Sequence, residues 1–271
     1  MDTTSDAVQA RARLWNLMLG GAEAYEHDRW LLSRLTAAVP GFDWIARHER
    51  DFVTRFWRFA AGDRGIRQFV HIGAPLPAQM PPHLRLPDPG RVVYVESDEL
   101  LYRKGSVWMS TDSVDVVSTS PEDGSAPSLL GVLDVAAVID AIGGRIDWLE
   151  PVAVIVPNLL SWADEGVARA WVTQVVGELA AGSLVATTHF FDPELPDSVV
   201  PIEQVLHHLG VEIGSGYFRR RADLERMFSG LTLETPGVTL AREWWPNGPL
   251  PPSQLLVDEL LAVAVVVADS P

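Results

Sequence analysis

Two short segments of this 271-residue chain combine residues that suit the binding of a nucleoside. The first is a glycine turn, Gly73 to Pro77, which follows an apolar run over 66–72. The second places Glu96 and Ser97 directly after an apolar run over 92–95. A glycine lets the backbone approach a ligand, and a carboxylate at a neighbouring strand end accepts hydrogen bonds from ribose hydroxyls. These residues predict a nucleoside site, although alone they also fit a plain turn and a solvated strand end.

Three further polar residues next to predicted strands are candidates for catalysis. His71 and His189 have the side chain of a general base, and for each the alternative is a structural histidine. Asn158 follows an apolar run over 152–156 and is the third candidate. His207 and His208 are adjacent, so they lack the four-residue spacing that puts two ligands on one helix face. We therefore predict no metal site, and no Ser-His-Asp order or phosphate loop is evident.

A parallel sheet would bring these residues together, because parallel strands end at one edge of a sheet. Apolar runs predict strands over 66–72, 92–95, 114–117, 152–156, 184–188 and 260–267, and periodicity and caps predict helices over 129–142, 164–181, 202–209 and 222–228. Alternating strands and helices favour a doubly wound, Rossmann-like α/β sheet.

The first 62 residues have a different pattern, with apolar residues at helical spacing throughout. Three helices are predicted there, over 5–19, 29–39 and 43–61, and Asp28 is the expected cap of the second. The prediction is an N-terminal helical cap over 1–62, packed on a Rossmann-like domain over 63–271 in a single compact unit.

Composition excludes several classes of function. The formal net charge of −15 disfavours nucleic acid and anionic lipid as partners. The absence of cysteine rules out thiolate nucleophiles and cysteine-ligated metals. No apolar run has the roughly 20 residues that cross a bilayer, and the first residues do not read as a secretory signal. The expected location is the cytoplasm.

Several motifs together resemble a bacterial family of S-adenosylmethionine-dependent methyltransferases with the class I, Rossmann-like fold. The matching motifs are G-G-x-x-x-Y-x-x-D-R at residues 20–29, G-I-R-Q-F at 65–69, I-G at 72–73, L-P at 76–77, V-V-Y-V at 92–95 and P-V-A-V at 151–154. The resemblance covers roughly residues 8 to 267. It implies that Gly73, Glu96 and Ser97 contact S-adenosylmethionine, while Tyr25, Asp28 and Arg29 close the site from the cap. It also suggests that Asn158 orients an acceptor amine.

The first loop departs from the family pattern at two positions. The family has an acid where this chain has His71, and a glycine where it has Pro75. Proline has no N–H and fixes φ near about −65°, so a contact that needs either an N–H or a glycine conformation would be lost.

Two functions are therefore open. One is methyl transfer from S-adenosylmethionine to a small molecule, plausibly in specialised metabolism. The other is a non-methylating relative that has lost the cofactor and either catalyses another reaction in the old pocket or serves in a heteromeric complex. The expected partners are a small-molecule substrate and either a second copy of the chain or another subunit.

Overall fold

The computed structural model describes residues 3–73, 81–86, 90–119, 132–195, 216–246, 248–250, 253 and 255–269, with side chains from residue 8 onward. Pro75, the predicted helix over 202–209 and both of its histidines lie outside the described residues.

A single mixed sheet forms the centre of the described chain. Its strands are β1 (Gln68–Ile72), β2 (Arg91–Glu96), β3 (Val114–Ser118), β4 (Val152–Val156), β5 (Leu184–Phe190), β6 (Thr232–Leu233), β7 (Thr239–Leu240) and β8 (Leu261–Val267). The order along the sheet is β3-β2-β1-β4-β5-β8-β6, and β7 also pairs with β8. Strands β1 to β5 are parallel, whereas β8 runs antiparallel to β5. The strand order reverses between β1 and β4, which is where α/β sheets bind ligands.

Helices cover both faces of this sheet. They are α1 (Thr3–Met18), α2 (Glu26–Ala38), α3 (Trp44–Gly62), α4 (Glu99–Met109), α5 (Val135–Ile142), α6 (Glu165–Glu178) and α7 (Arg221–Met227). One core lies between α1–α3 and one sheet face, and includes Trp57, Phe69 and Tyr94. A second core lies between α5–α7 and the opposite face, and includes Val93, Val154 and Trp171. The predicted doubly wound α/β architecture is confirmed.

The structure differs from the prediction in several details, and three of them concern residues near the predicted site. Helix α4 was not predicted, although Asp98 caps it by accepting a hydrogen bond from the N–H of Leu101. Helix α2 begins at Glu26 with Tyr25 as its N-cap, so Asp28 lies inside the first turn and accepts the N–H of Tyr25. Strand β5 extends to Phe190, which places His189 within the strand and not after it.

Strand β3 lies at one end of the strand order and carries a charged residue at its second position. Asp115 pairs with Arg91 of β2 and with Arg145, which follows α5. At the other end of the sheet, the short strands β6 and β7 both pair with β8.

Within the described residues, no helix combines the length and the apolar character needed to span a membrane.

Candidate active site

A cleft lies at the carboxyl ends of β1, β2 and β4, beneath helix α1. It encloses about 650 Å³ of empty space, part of which is open to solvent. Its described lining residues are Val8, Arg11, Ala12, Trp15, Glu49, Gly73, Glu96, Ser97, Leu101, Val132, Pro157, Asn158, Leu159 and Trp162. The cleft thus combines strand ends of the sheet with residues of α1 and α3.

Gly73 forms the turn at the end of β1. Its φ of 70° is a conformation that glycine adopts at little cost. Its N–H donates a 2.9 Å hydrogen bond to the carbonyl of Val95 on β2, which ties the two strand ends together. Among the described residues, a Cβ atom at this position would meet only Leu159, at 3.8 Å.

Glu96 ends β2 and is buried in the wall of the cleft. Its Oε1 atom accepts hydrogen bonds from the N–H groups of Ser97 (2.8 Å) and Asp98 (3.1 Å). Burial raises the pKa of Glu96 to about 8, and these two hydrogen bonds and the positive charge of Arg11 oppose that rise. Because these contacts fix the carboxylate, it has one orientation at the strand end.

Arg11 brings a positive charge from α1 into the same cleft. Its guanidinium lies 4.7 Å from the ring centroid of Trp162, in a cation–π contact. Burial lowers the pKa of Arg11 to about 10, and the charge of Glu96 acts in the opposite direction. The guanidinium remains protonated at neutral pH, and its charge favours the ionised form of Glu96.

A hydrogen-bonded network runs along the other side of the cleft. Glu49 of α3 accepts a 2.6 Å bond from Thr188 Oγ1 at its Oε1 atom and a 2.6 Å bond from Trp15 Nε1 at its Oε2 atom. Thr188 Oγ1 also accepts the N–H of Asn158 at 2.6 Å. Burial raises the pKa of Glu49 to about 7, although both bonds to its carboxylate lower it.

Asn158 connects β4 to a short 3₁₀ helix, Leu159–Trp162. Its φ of 51° is left-handed, which asparagine tolerates better than most residues. The side chain is 5% exposed, and its Oδ1 atom has no hydrogen-bond partner in the described part of the chain. Buried acceptors are almost always paired in folded proteins, so an unpaired oxygen in a residue that lines the cleft marks Asn158 as a candidate ligand contact.

Four of the predicted site residues meet in this cleft: Gly73, Glu96, Ser97 and Asn158. His71 is not among the described lining residues, and packs between Trp57 and Tyr94, where burial lowers its pKa to about 3. His189 also lies away from the lining. Its Nε2 atom is 3.2 Å from Thr187 Oγ1, and burial lowers its pKa well below the usual value. Both histidines are neutral and buried in the protein core.

Tyr25, Asp28 and Arg29 also lie outside the described lining of the cleft. Asp28 is buried and accepts hydrogen bonds from Arg13 Nε (2.8 Å) and Nη2 (3.3 Å). Tyr25 is exposed and stacks on the guanidinium of Arg13. Arg29 lines a separate surface depression that includes Arg47. These contacts hold α2 against α1, which itself forms part of the cleft wall.

Glu49 is the chemically important residue that the sequence interpretation missed. The sequence feature that could have identified Glu49 is its position on the apolar side of α3. The buried residues of that helix include Ile45, Phe52 and Phe56, which lie at helical spacing around Glu49. A carboxylate on the buried side of a helix predicts either a buried ion pair or a functional group.

The strand order and the cleft at the reversal point define an α/β protein of the class I methyltransferase type. A family model described as S-adenosyl methyltransferase matches residues 2–268. The chain therefore belongs to this S-adenosylmethionine-dependent methyltransferase family, as its motifs predicted.

Solved structures agree with this assignment. A protein from Thermobifida fusca YX, named as a candidate methyltransferase, is 26% identical, with a TM-score of 0.79 over 96% of this chain and 94% of that chain. A DUF574-family protein from Streptomyces avermitilis MA-4680 is 23% identical, with a TM-score of 0.80 over 95% and 96%. The plantazolicin methyltransferase BamL, solved with S-adenosylhomocysteine and a triazolic desmethylPZN analogue, shares the fold at 8% identity, with a TM-score of 0.53 over 99% and 98%. No curated protein sequence matches the chain.

Proposed function

We propose that the protein transfers a methyl group from S-adenosylmethionine to a small-molecule acceptor bound in the cleft, in specialised metabolism. The observation that carries this proposal is the position of the Glu96 carboxylate, beside the turn at Gly73 and at the point where the strand order reverses. A fixed carboxylate at this point is the group that accepts hydrogen bonds from ribose hydroxyls.

The residues of the cleft fit a nucleoside cofactor. A carboxylate has about four lone-pair sites, and the two N–H bonds to Glu96 occupy one of its oxygens. The backbone at Gly73 is open to a close approach, and Ser97 follows directly after Glu96. When bound, the cofactor supplies an electrophilic methyl group on a sulfonium. The chain's own part is to orient the acceptor and exclude water, and Trp15 and Trp162 provide apolar walls for that purpose.

The charge of the protein favours a small molecule over a nucleic acid as the acceptor. The net charge of −15 opposes the phosphate backbone of a nucleic acid.

Calorimetry with S-adenosylhomocysteine tests the cofactor site directly. We expect saturable binding to the wild type and at least tenfold weaker binding to Glu96→Gln. The matched control is Glu99→Gln, because Glu99 is an exposed carboxylate that pairs with Arg103 outside the cleft. Absence of heat at millimolar S-adenosylmethionine and S-adenosylhomocysteine, or equal binding by both variants, would overturn the proposal.

The alternative, a non-methylating relative, is favoured by one observation. Arg11 occupies the same cleft and acts on Glu96, so a cation already lies near the carboxylate that would hold the ribose. In that case Glu96→Ala would leave the protein's activity or assembly intact. Loss of activity through weakened cofactor binding excludes this alternative.

The remaining parts of the proposal concern location, assembly and domains. The absence of cysteine suits the reducing cytoplasm. We propose a homodimer or a subunit of a heteromeric complex, in which the cap over 1–62 and the domain over 63–271 unfold together. Light scattering after size exclusion and the number of thermal transitions test these points.

Contact of Tyr25, Asp28 and Arg29 with the cofactor stays a prediction, which a structure with S-adenosylhomocysteine would test.

A further inference from the structure

Three charged side chains line the described part of the cleft. They are Arg11, Glu49 and Glu96. The positive charge of Arg11 acts on Glu96. Within the described residues, Glu49 forms no ion pair, and the donors to its carboxylate, Trp15 and Thr188, are both neutral. The carboxyl group of Glu49 thus has no described counter-charge.

We infer that Glu49 and Asn158 form a subsite for the ammonium or amine group of the acceptor. This inference rests on the proposed function only in calling the ligand the acceptor of the methyl group. The subsite itself is defined by side chains of this protein. Its ligand is an organic cation or a neutral amine that donates hydrogen bonds.

Asn158 gives this subsite its second hydrogen-bonding group. Its Oδ1 atom is a buried acceptor without a described partner, and an amine N–H would satisfy it. Its backbone is held by the bond from its N–H to Thr188 Oγ1, the same hydroxyl that bonds Glu49. The two groups are therefore positioned by one shared residue.

The aromatic walls suit the organic part of such a ligand. Trp15 donates its indole N–H to Glu49, so its ring lies beside the carboxylate. Trp162 lines the same cleft, but its ring already contacts the guanidinium of Arg11 and therefore offers an apolar wall only. Indole faces attract cations as well as apolar groups. Burial raises the pKa of Glu49 to about 7. A bound ammonium would lower this pKa and stabilise the ionised carboxylate.

Titration with ethylammonium chloride, observed by NMR at the indole N–H of Trp15, tests the subsite. Ethylammonium is small enough that its binding depends on charge and hydrogen bonding more than on the shape of the true acceptor. Sodium chloride, ethanol and sodium acetate at the same concentrations are the reference solutes. We expect a saturable shift with ethylammonium alone, at pH 8, without added cofactor.

Variants then assign the shift to named groups. Glu49→Gln removes the charge and should weaken binding at least tenfold. Asn158→Gly removes the amide and tolerates the left-handed backbone, so weaker binding is expected there too. Asn158→Asp adds a carboxylate and should strengthen binding, which keeps the test decisive if Glu49→Gln does not fold. Glu165→Gln, on the exposed surface, is the matched control.

The outcomes separate this inference from the proposed function. Equal shifts with ethanol, or unchanged binding in the folded Glu49 and Asn158 variants, would overturn the amine subsite. Binding of S-adenosylhomocysteine to the same samples is measured separately. Ethylammonium binding without S-adenosylhomocysteine binding would support the subsite and refute the proposed function, and the reverse result would refute the subsite alone.

Discussion

Thr188 on β5 donates a 2.6 Å hydrogen bond to Glu49 on α3, which joins residues 139 positions apart in the chain. The same hydroxyl oxygen accepts the N–H of Asn158. One threonine therefore connects the helical segment to two strands of the sheet and fixes both groups of the proposed amine subsite.

Replacement of Thr188 by valine removes this connection with little change in shape. We expect a loss of about 1–3 kcal/mol in the free energy of unfolding, because the N–H of Asn158 and the carboxylate of Glu49 each lose a buried partner. The pKa of Glu49 should rise further, since this bond lowers it. Thr187→Val is the control, because the hydroxyl of Thr187 has only longer contacts, of 3.2 and 3.5 Å. Urea denaturation of both variants measures the difference, and equal losses would contradict the prediction.

Replacement of Gly73 by alanine tests the turn at the end of β1. The added methyl group has space, but a φ of 70° should cost an L-residue about 1–2 kcal/mol. Relaxation of that strain would move the turn, so binding of S-adenosylhomocysteine should weaken as well. Gly62→Ala, in the last turn of α3 with open space around it, should be neutral or slightly stabilising. Denaturation and calorimetry on the two variants check both effects.

The contributions of Glu49 and Glu96 to the stability of the protein should fall as pH rises above about 4.5. Burial raises the pKa of Glu49 to about 7 and that of Glu96 to about 8, so the folded state holds these protons after the unfolded chain has released them. Each group thus favours folding fully below pH 4.5 and loses its contribution as pH rises to its folded pKa. For Glu49 this contribution is on the order of 3 kcal/mol.

Thermal melts between pH 5 and 8 measure this effect. The wild type should lose several degrees of Tm more than Glu49→Gln over that range, because the amide does not ionise. Parallel curves for the two proteins would show that Glu49 does not titrate in this window.

Arg219 should be important for the stability of the 3₁₀ segment that contains Trp162. Its guanidinium donates to the carbonyl of Leu160 at 3.0 Å and to the carbonyl of Ala163. Arg219→Met removes a donor from both carbonyls. Leu160 keeps the 3.3 Å bond from the N–H of Ala163, so only Ala163 loses its described partner, and we expect a loss of about 1–3 kcal/mol. Arg220→Met, which removes an exposed cation 3.5 Å from Asp192, should cost less than about 1 kcal/mol. Denaturation curves that do not separate the two variants would contradict this role.

The sequence predicted the parallel sheet and its ligand edge because those features follow from local patterns. Continuous apolar runs mark strands that are buried on both faces, and Gly73 and Glu96 lie directly after two such runs. Helix α4 was missed because Gly105 interrupts its pattern. In the structure this glycine packs closely against Val116 and Met109, where a larger residue would not fit without adjustment.

The rest of the site depends on contacts between distant parts of the chain. In the sequence, Glu49 and Trp15 are ordinary residues of helices. They reach the strand ends only because α1 and α3 pack on the sheet. His71 was considered a pocket residue because it is near the end of β1, but a strand alternates its side chains between two faces. Its face is the one that packs on Trp57, and a single sequence does not reveal which helix covers that face.

The arrangement of the two ends of the sheet also bears on solubility. Unpaired strand edges invite pairing with other chains and start fibrillar aggregation, and proteins suppress this with short strands and inward charges. At one end of this sheet, β6 and β7 pair with β8. At the other end, Asp115 of β3 forms ion pairs with Arg91 and Arg145. Neutralising Asp115 would remove the charge between Val114 and Val116 from the terminal strand of the described sheet, and such a protein should be prone to self-association when concentrated.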